Sequence, residues 1–171
     1  LGVGTGFGGA VIQGEAVTPL EPGHEPFVPT AGGDLHGLVQ PGTTVEHLLS
    51  GPGLVRMWHH FGPSFPEQPE IAESVISDWV VSNATVEPVA IAICVAFCSA
   101  FVDASVVLAQ RGNASRILYM GGVVEGWTGL LTDTKAWDEI ERIAGCQVGV
   151  IRHPFPGLLG AGRLGQSLVR S

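Results

Sequence analysis

One stretch without a single charge constrains this chain most. From Pro88 to Val102, 15 residues run uncharged, and apolar character resumes after Asp103 as far as Ala109. Such a segment must leave water. A bilayer span needs about 20 apolar residues and tolerates an aspartate at depth poorly. This run is shorter and rich in Ala, Cys and Ser, and Asp103 follows it. It reads as a helix buried in a protein core rather than inserted in a membrane. The helix is expected from about Val86 to Arg111, with Gly112-Asn113 as its stop signal. The 171 residues around it fit one domain, of a size that buries about 70% of its unfolded surface.

Charge is scarce everywhere. Only 14% of residues are charged, against about 25% in an average soluble domain. So thin a polar surface implies that another lobe, another copy or a larger assembly covers part of it. The net charge is −8 with 8 Lys and Arg. Nucleic-acid binders carry a basic stripe, and isolated residues such as Arg111 and Arg116 do not make one. Attachment to a membrane surface through basic residues is disfavoured for the same reason. Cys94, Cys98 and Cys146 are too few and too odd in number for a disulfide framework. Cys94 and Cys98, four apart, read as small core residues on one helix face in a reducing compartment. The first residue is Leu1 rather than Met. The chain is therefore expected to be processed, truncated or part of something longer, without a cleavable signal peptide.

The order of elements is that of a mixed α/β layer. Leu1–Gln13 is glycine-rich and β-like, and Ala16–Thr18 pairs back across a turn at Gln13-Gly14-Glu15. Glu21 to Thr44 is irregular, interrupted by Pro22, Pro26, Pro29 and Pro41. Thr44–Leu49 makes a turn or short strand. Ser50 is placed to cap a helix from Pro52 to about Phe61. A second helix is expected over Pro69–Ser82 on the spacing of Ile71, Val75, Ile76, Trp79 and Val80. After the long apolar helix come a buried strand Ser115–Met120, a helix beginning near Gly126, and a helix Thr134–Ala144 with Asp138, Glu139 and Glu141 outward. A strand Gln147–Arg152 and a glycine-containing closing helix Pro156–Leu168 complete the chain.

Four segments carry candidate chemistry. Gly4-Thr5-Gly6-Phe7-Gly8-Gly9 offers backbone N–H groups and a hydroxyl at a tight turn, where glycine lets phosphate oxygens approach. Taken alone it is equally a hairpin turn. Glu21-Pro22-Gly23-His24 joins a carboxylate and an imidazole, both able to bind sugar hydroxyls, though such loop pairs are more often merely solvated. Glu46 stands just before Ser50-Gly51-Pro52-Gly53, where a simpler reading is an acidic residue near a helix start. Met120-Gly121-Gly122 follows a buried strand, where a flat base or ribose can lie on the backbone; a close strand–helix turn looks the same.

In order, GTGFGGA, EPGHEPF, VEHLLSGPGLV, ILYMGGVV and RHPFPGLLGAG resemble the C-terminal lobe of bacterial-type glucokinases, in the sugar kinase and actin-like ATPase superfamily. LSGPGL and PGLLGAG are the most specific, and the resemblance covers nearly all of residues 1–171. It implies a ribonuclease-H-like α/β lobe, a mixed sheet with flanking helices. It implies that Gly4, Thr5 and Gly6 match the second phosphate loop, and that Glu21, His24 and Glu46 match sugar-contacting residues. Gly121 and Gly122 match an adenosine-contacting pair. Members of the family pass the γ-phosphoryl of ATP, with Mg, to the 6-hydroxyl of glucose, and often dimerise.

The departures bear on function. The family's first phosphate loop and catalytic-base Asp belong to an N-terminal lobe that this sequence does not contain, so no catalytic residue is assigned here. Pro22 stands where the family has glycine, which fixes φ and removes an N–H. Only 21 residues separate His24 from Glu46, where the family carries a longer, helix-bearing insert, and the region after Trp127 is abbreviated. Three readings follow. The chain is the hexose- and nucleotide-binding part of a cytoplasmic kinase, a non-catalytic subunit of a larger organellar (mitochondrial) complex, or a sugar sensor.

Overall fold

A computed structural model describes residues 1–4, 6–29, 35, 37–62 and 72–152. Thr5, the segment 63–71 and the closing helix expected over 156–168 lie outside the described residues.

The chain opens on an antiparallel unit. Strand β1 (Gly2–Val3) pairs with β2 (Phe7–Gln13), and β2 pairs with β3 (Ala16–Leu20). Gly14 takes φ +60° in the two-residue turn between β2 and β3, a conformation that costs glycine little. β3 runs two residues past the expected Thr18. Pro19 is tolerated there because β3 is an edge strand and proline has no N–H to leave unpaired.

Helices α1 (Gly51–Phe61), α2 (Glu73–Asn83) and α3 (Pro88–Arg111) follow. Then come β4 (Arg116–Tyr119), α4 (Gly122–Asp133), α5 (Ala136–Ala144) and β5 (Gln147–Val150). β4 and β5 are parallel, with Arg116 opposite Gln147. A parallel bridge between Gly2 and Met120 joins the two halves. There the Val3 N–H donates to the Met120 carbonyl at 3.0 Å, and the Met120 N–H donates to the Leu1 carbonyl at 2.9 Å. The lateral order is β3-β2-β1-β4-β5, with β2 running against the other four. This is the expected mixed sheet with flanking helices.

Several boundaries differ from the sequence reading, each for a local reason. α3 starts at Pro88, where a missing N–H is no loss. α2 is described from Glu73, with Ala72 extended at ψ 140°; residues 69–71 of its expected range lie outside the described residues. α4 begins at Gly122 rather than Gly126, because Gly121 at φ +107° turns the chain straight from strand into helix. α5 begins at Ala136 rather than Thr134, because Lys135 is left-handed at φ 58° and breaks the path from α4.

The core is built around α3. Phe97 lies 4.4 Å from the Trp127 ring, while Phe101 lies 4.8 Å from Tyr119 and edge-on to Trp137 at 5.5 Å. Such aromatic pairs add roughly 0.5–1.5 kcal/mol each beyond their buried area. Cys94 and Cys98 are buried free thiols on this helix, as their spacing implied. Among the described residues α3 is the one helix long and apolar enough to cross a membrane, and 72% of its most apolar stretch is buried within the protein. Its apolar surface is thus met by α1, α2, α5 and the sheet, which is the behaviour of a core helix.

Tyr119 tests this packing. It is fully buried and is the single tyrosine of the chain. Burial pushes its phenol above the ordinary 10.0. The neutral phenol is the form the fold favours, so its contribution to stability is complete below about pH 10 and is lost as pH rises beyond it. Spectrophotometric titration is expected to show phenolate appearing at distinctly higher pH in the folded chain than in the urea-unfolded chain. Coincident titrations would mean the ring is not enclosed.

Candidate functional site

β1 and β4 are parallel neighbours, so the turns that leave them emerge at the same end of the sheet. In open α/β sheets the carboxyl ends of parallel strands are where ligands are held. Four of the five segments singled out in the sequence converge there.

The first is the Gly4–Gly6 turn, which leaves β1. The Gly4 N–H donates to the Gly6 carbonyl at 3.0 Å, and the Gly4 carbonyl accepts from the Gly51 N–H at 2.9 Å. That second bond ties the turn to the first residue of α1. Thr5 is outside the described residues, so its hydroxyl has no assigned position.

Glu46 comes next. Ser50 caps α1 as its sequence position implied, accepting from the Gly53 N–H at 3.0 Å. The same hydroxyl donates to the Glu46 carbonyl at 2.5 Å. One side chain therefore fixes both the helix start and the backbone of Glu46. The Glu46 N–H in turn donates to the Gly23 carbonyl at 3.0 Å, which lashes the segment to the 3-10 turn Pro22–His24.

The result is a seated carboxylate. Its Oε2 lies 3.6 Å from where a side chain on Gly6 would begin, and 3.1 Å from the equivalent point on Gly23. Its Oε1 lies 3.6 Å from His24 Nε2. That gap exceeds a direct hydrogen bond, but a hydroxyl about 2.8 Å from each atom would satisfy both. Glu46 is half-buried, while His24 is largely exposed. A carboxylate that accepts, beside an imidazole that donates or accepts, suits a ligand rich in hydroxyls.

Glu21, the third sugar-contacting candidate, occupies the N-cap position of the same 3-10 turn, and its side chain is exposed at the rim. Pro22 and Gly23 are buried beneath it. Proline in the first turn of this short helix explains how Pro22 is accommodated.

Sequence reasoning assigned no role to Gly23. A side chain there would begin 2.6 Å from the Phe7 carbonyl oxygen. Only a glycine lets the turn pack onto the start of β2 and under Glu46. Its place between Pro22 and His24 was the one available signal.

Gly121 and Gly122 complete the end of the sheet. A side chain on Gly121 would run into the Val3 carbonyl, whereas Gly122 faces open space at the start of α4. The pair thus divides into a packing glycine and an open one. Gly121→Ala is expected to cost about 1–3 kcal/mol from its backbone conformation alone, and more from the collision with Val3. Gly122→Ala is expected to change stability by less than about 1 kcal/mol. Urea denaturation of the two variants checks this; equal effects would contradict the assignment.

No family model and no curated protein matches the chain. Solved structures do. A glucokinase from an Antarctic psychrotroph aligns with TM-score 0.71 and 20% identity over 91% of this chain and 53% of its own. A Cytophaga hutchinsonii protein proposed as a sugar kinase aligns with TM-score 0.63 and 17% identity, over 96% and 56%. A ROK-family transcriptional regulator, a homologue of the E. coli MLC protein, aligns with TM-score 0.60 and 17% identity, over 91% and 41%. The chain spans about half the length of the structures it matches. At this identity the likeness concerns the fold alone: the described residues share the fold of the aligned part of these glucokinase and sugar kinase structures.

Proposed function

We propose that this chain forms the sugar-binding face and part of the nucleotide-binding face of an ATP-dependent hexose kinase, with glucose as its first candidate substrate. One observation carries the reading: Glu46 and His24 are brought side by side over Gly6 and Gly23, at the strand ends where the two glycine turns emerge. Glu46 would accept from a sugar hydroxyl while His24 donates to, or accepts from, the same one or its neighbour. Glu21 would close the rim. The Gly4 N–H is already given to the Gly6 carbonyl, so Thr5 and Gly6 would be the residues of this turn that face phosphate oxygens. Gly122, with nothing standing over it, would let the adenosine lie on the backbone.

Phosphoryl transfer needs more than this. It depends on an oriented nucleophile and on neutralised phosphate charge. We assign no residue here as the base for the sugar hydroxyl and propose that it lies in polypeptide beyond these residues. Mg usually travels with the nucleotide phosphates, held by one or two carboxylates. Among the described residues no three His, Cys, Asp or Glu side chains gather to hold a metal ion, and no step is assigned through Mg.

The structural likeness to a transcriptional regulator supports a second reading, in which the same face senses a sugar without transferring phosphate. Calorimetry separates the possibilities. Glucose is expected to bind, and Glu46→Gln to weaken binding roughly ten- to a hundredfold, as loss of a charged hydrogen-bond acceptor does. Heat from glucose with none from ATP would favour sensing over phosphoryl transfer. Glucose binding untouched by Glu46→Gln, or no binding at all, would remove the basis for both.

A further inference from the structure

The long core helix ends in a cation. α3 carries two charges in 24 residues, Asp103 and its last residue, Arg111. Asp103 is buried, whereas the Arg111 side chain is 57% exposed. Its guanidinium donates to the carboxylate of Glu25, 86 residues away in the chain. Glu25 is the residue next to His24.

His24 is the less anchored partner of the sugar face. Its imidazole is 71% exposed, and its backbone belongs to a narrow ribbon. The Gly23 and Glu25 carbonyls accept from the Glu46 and Val45 N–H groups at 3.0 Å each, and the Phe27 N–H donates to the Thr43 carbonyl at 2.9 Å. Pro26 pairs with Thr44 between them. Two strands paired only with each other are marginally stable in water. This ribbon and its turn also carry three carboxylates, Glu21, Glu25 and Glu46, whose mutual repulsion favours opening. Ser50 holds the Glu46 strand to α1. On the other side, Arg111 ties the His24 strand to α3.

Magnitude decides what this tie can do. An exposed ion pair shifts an equilibrium by about fivefold at most, and salt screens it. That is too little to hold a core together. It is enough to change how often a half-anchored ribbon keeps His24 opposite Glu46. We propose that Arg111 is a positioning residue for the sugar face: through Glu25 it holds His24 in place, and so makes the binding of an uncharged hexose respond to ionic strength. The inference rests on the sugar-binding reading of Glu46 and His24. A neutral sugar brings no charge to be screened, so a salt response of its affinity reports on ion pairs within the protein.

The test compares the unsubstituted chain with Arg111→Gln and Arg111→Lys. From about 0.01 to 1 M NaCl, the glucose affinity of the unsubstituted chain is expected to fall about two- to fivefold. Arg111→Gln is expected to show the weaker affinity at every salt concentration. Arg111→Lys is expected to keep most of both the affinity and the salt response. The Tm of Arg111→Gln is expected to stay within about 4 °C of the unsubstituted value. Amide exchange, read without sugar, is expected to quicken about two- to fivefold at Val45 and Glu46 in Arg111→Gln and to stay unchanged at Phe97 in the core of α3. Unchanged exchange at Val45 and Glu46 would overturn the proposal whether or not glucose binds. So would an Arg111→Gln chain that binds glucose as well as the unsubstituted one at low salt. An unsubstituted chain that binds no glucose would overturn the sugar reading and with it the positioning role, while quickened exchange would still show the Arg111 tie.

Discussion

The architecture depends on a short parallel contact. Met120 lies more than a hundred residues from the start of the chain, yet it is joined to Val3 and to Leu1 by one backbone hydrogen bond each. That contact merges a three-stranded antiparallel unit with a βαβ-type unit into one mixed sheet. It also decides where ligands meet the protein, because it points the Gly4–Gly6 turn and the Gly121-Gly122 turn toward the same end. Gly121 is part of the joint. Any side chain there would run into Val3, so the residue that frees the end of β4 also lets β1 close against it.

A second linkage builds the sugar face on that frame. Ser50 bonds in one direction to the Gly53 amide and in the other to the Glu46 carbonyl. Gly51 bonds to Gly4, and Glu46 to Gly23. Helix start, glycine turn and the backbone of the carboxylate residue are therefore held by backbone bonds and one short hydroxyl rather than by long flexible side chains. Glu46 can stay half-buried against two glycines while His24 remains accessible. Such pre-positioning reduces what a ligand must give up in side-chain freedom on binding.

Much of this was legible in the sequence because it is local. The Ser50 cap, the proline in the first turn of α1, the uncharged body of α3 and the two-residue hairpin each have signals within a few neighbouring residues. The convergence of Glu46 with His24 was legible only through the resemblance of ordered segments, since nothing in spacing alone joins residues 22 apart across an irregular loop. The β1–β4 pairing left no local trace, because parallel partners come from distant parts of a chain. Gly23 was passed over because a buried glycine between a proline and a histidine looks like any turn. The early start of α4 was missed because two glycines suggest an interruption, where here the first makes the turn and the second opens the helix. The expectations for Thr5 and for the segment after Arg152 fall outside the described residues.

Whether one end of the sheet gathers sugar and nucleotide chemistry is tested most directly by residue-resolved NMR during titration with glucose and then ATP. The account predicts that glucose perturbs Gly6, Gly23, His24 and Glu46 together, and that ATP then perturbs Gly4, Gly121 and Gly122. Saturable shifts confined to other surfaces, or none at these residues at saturating ligand, would contradict it.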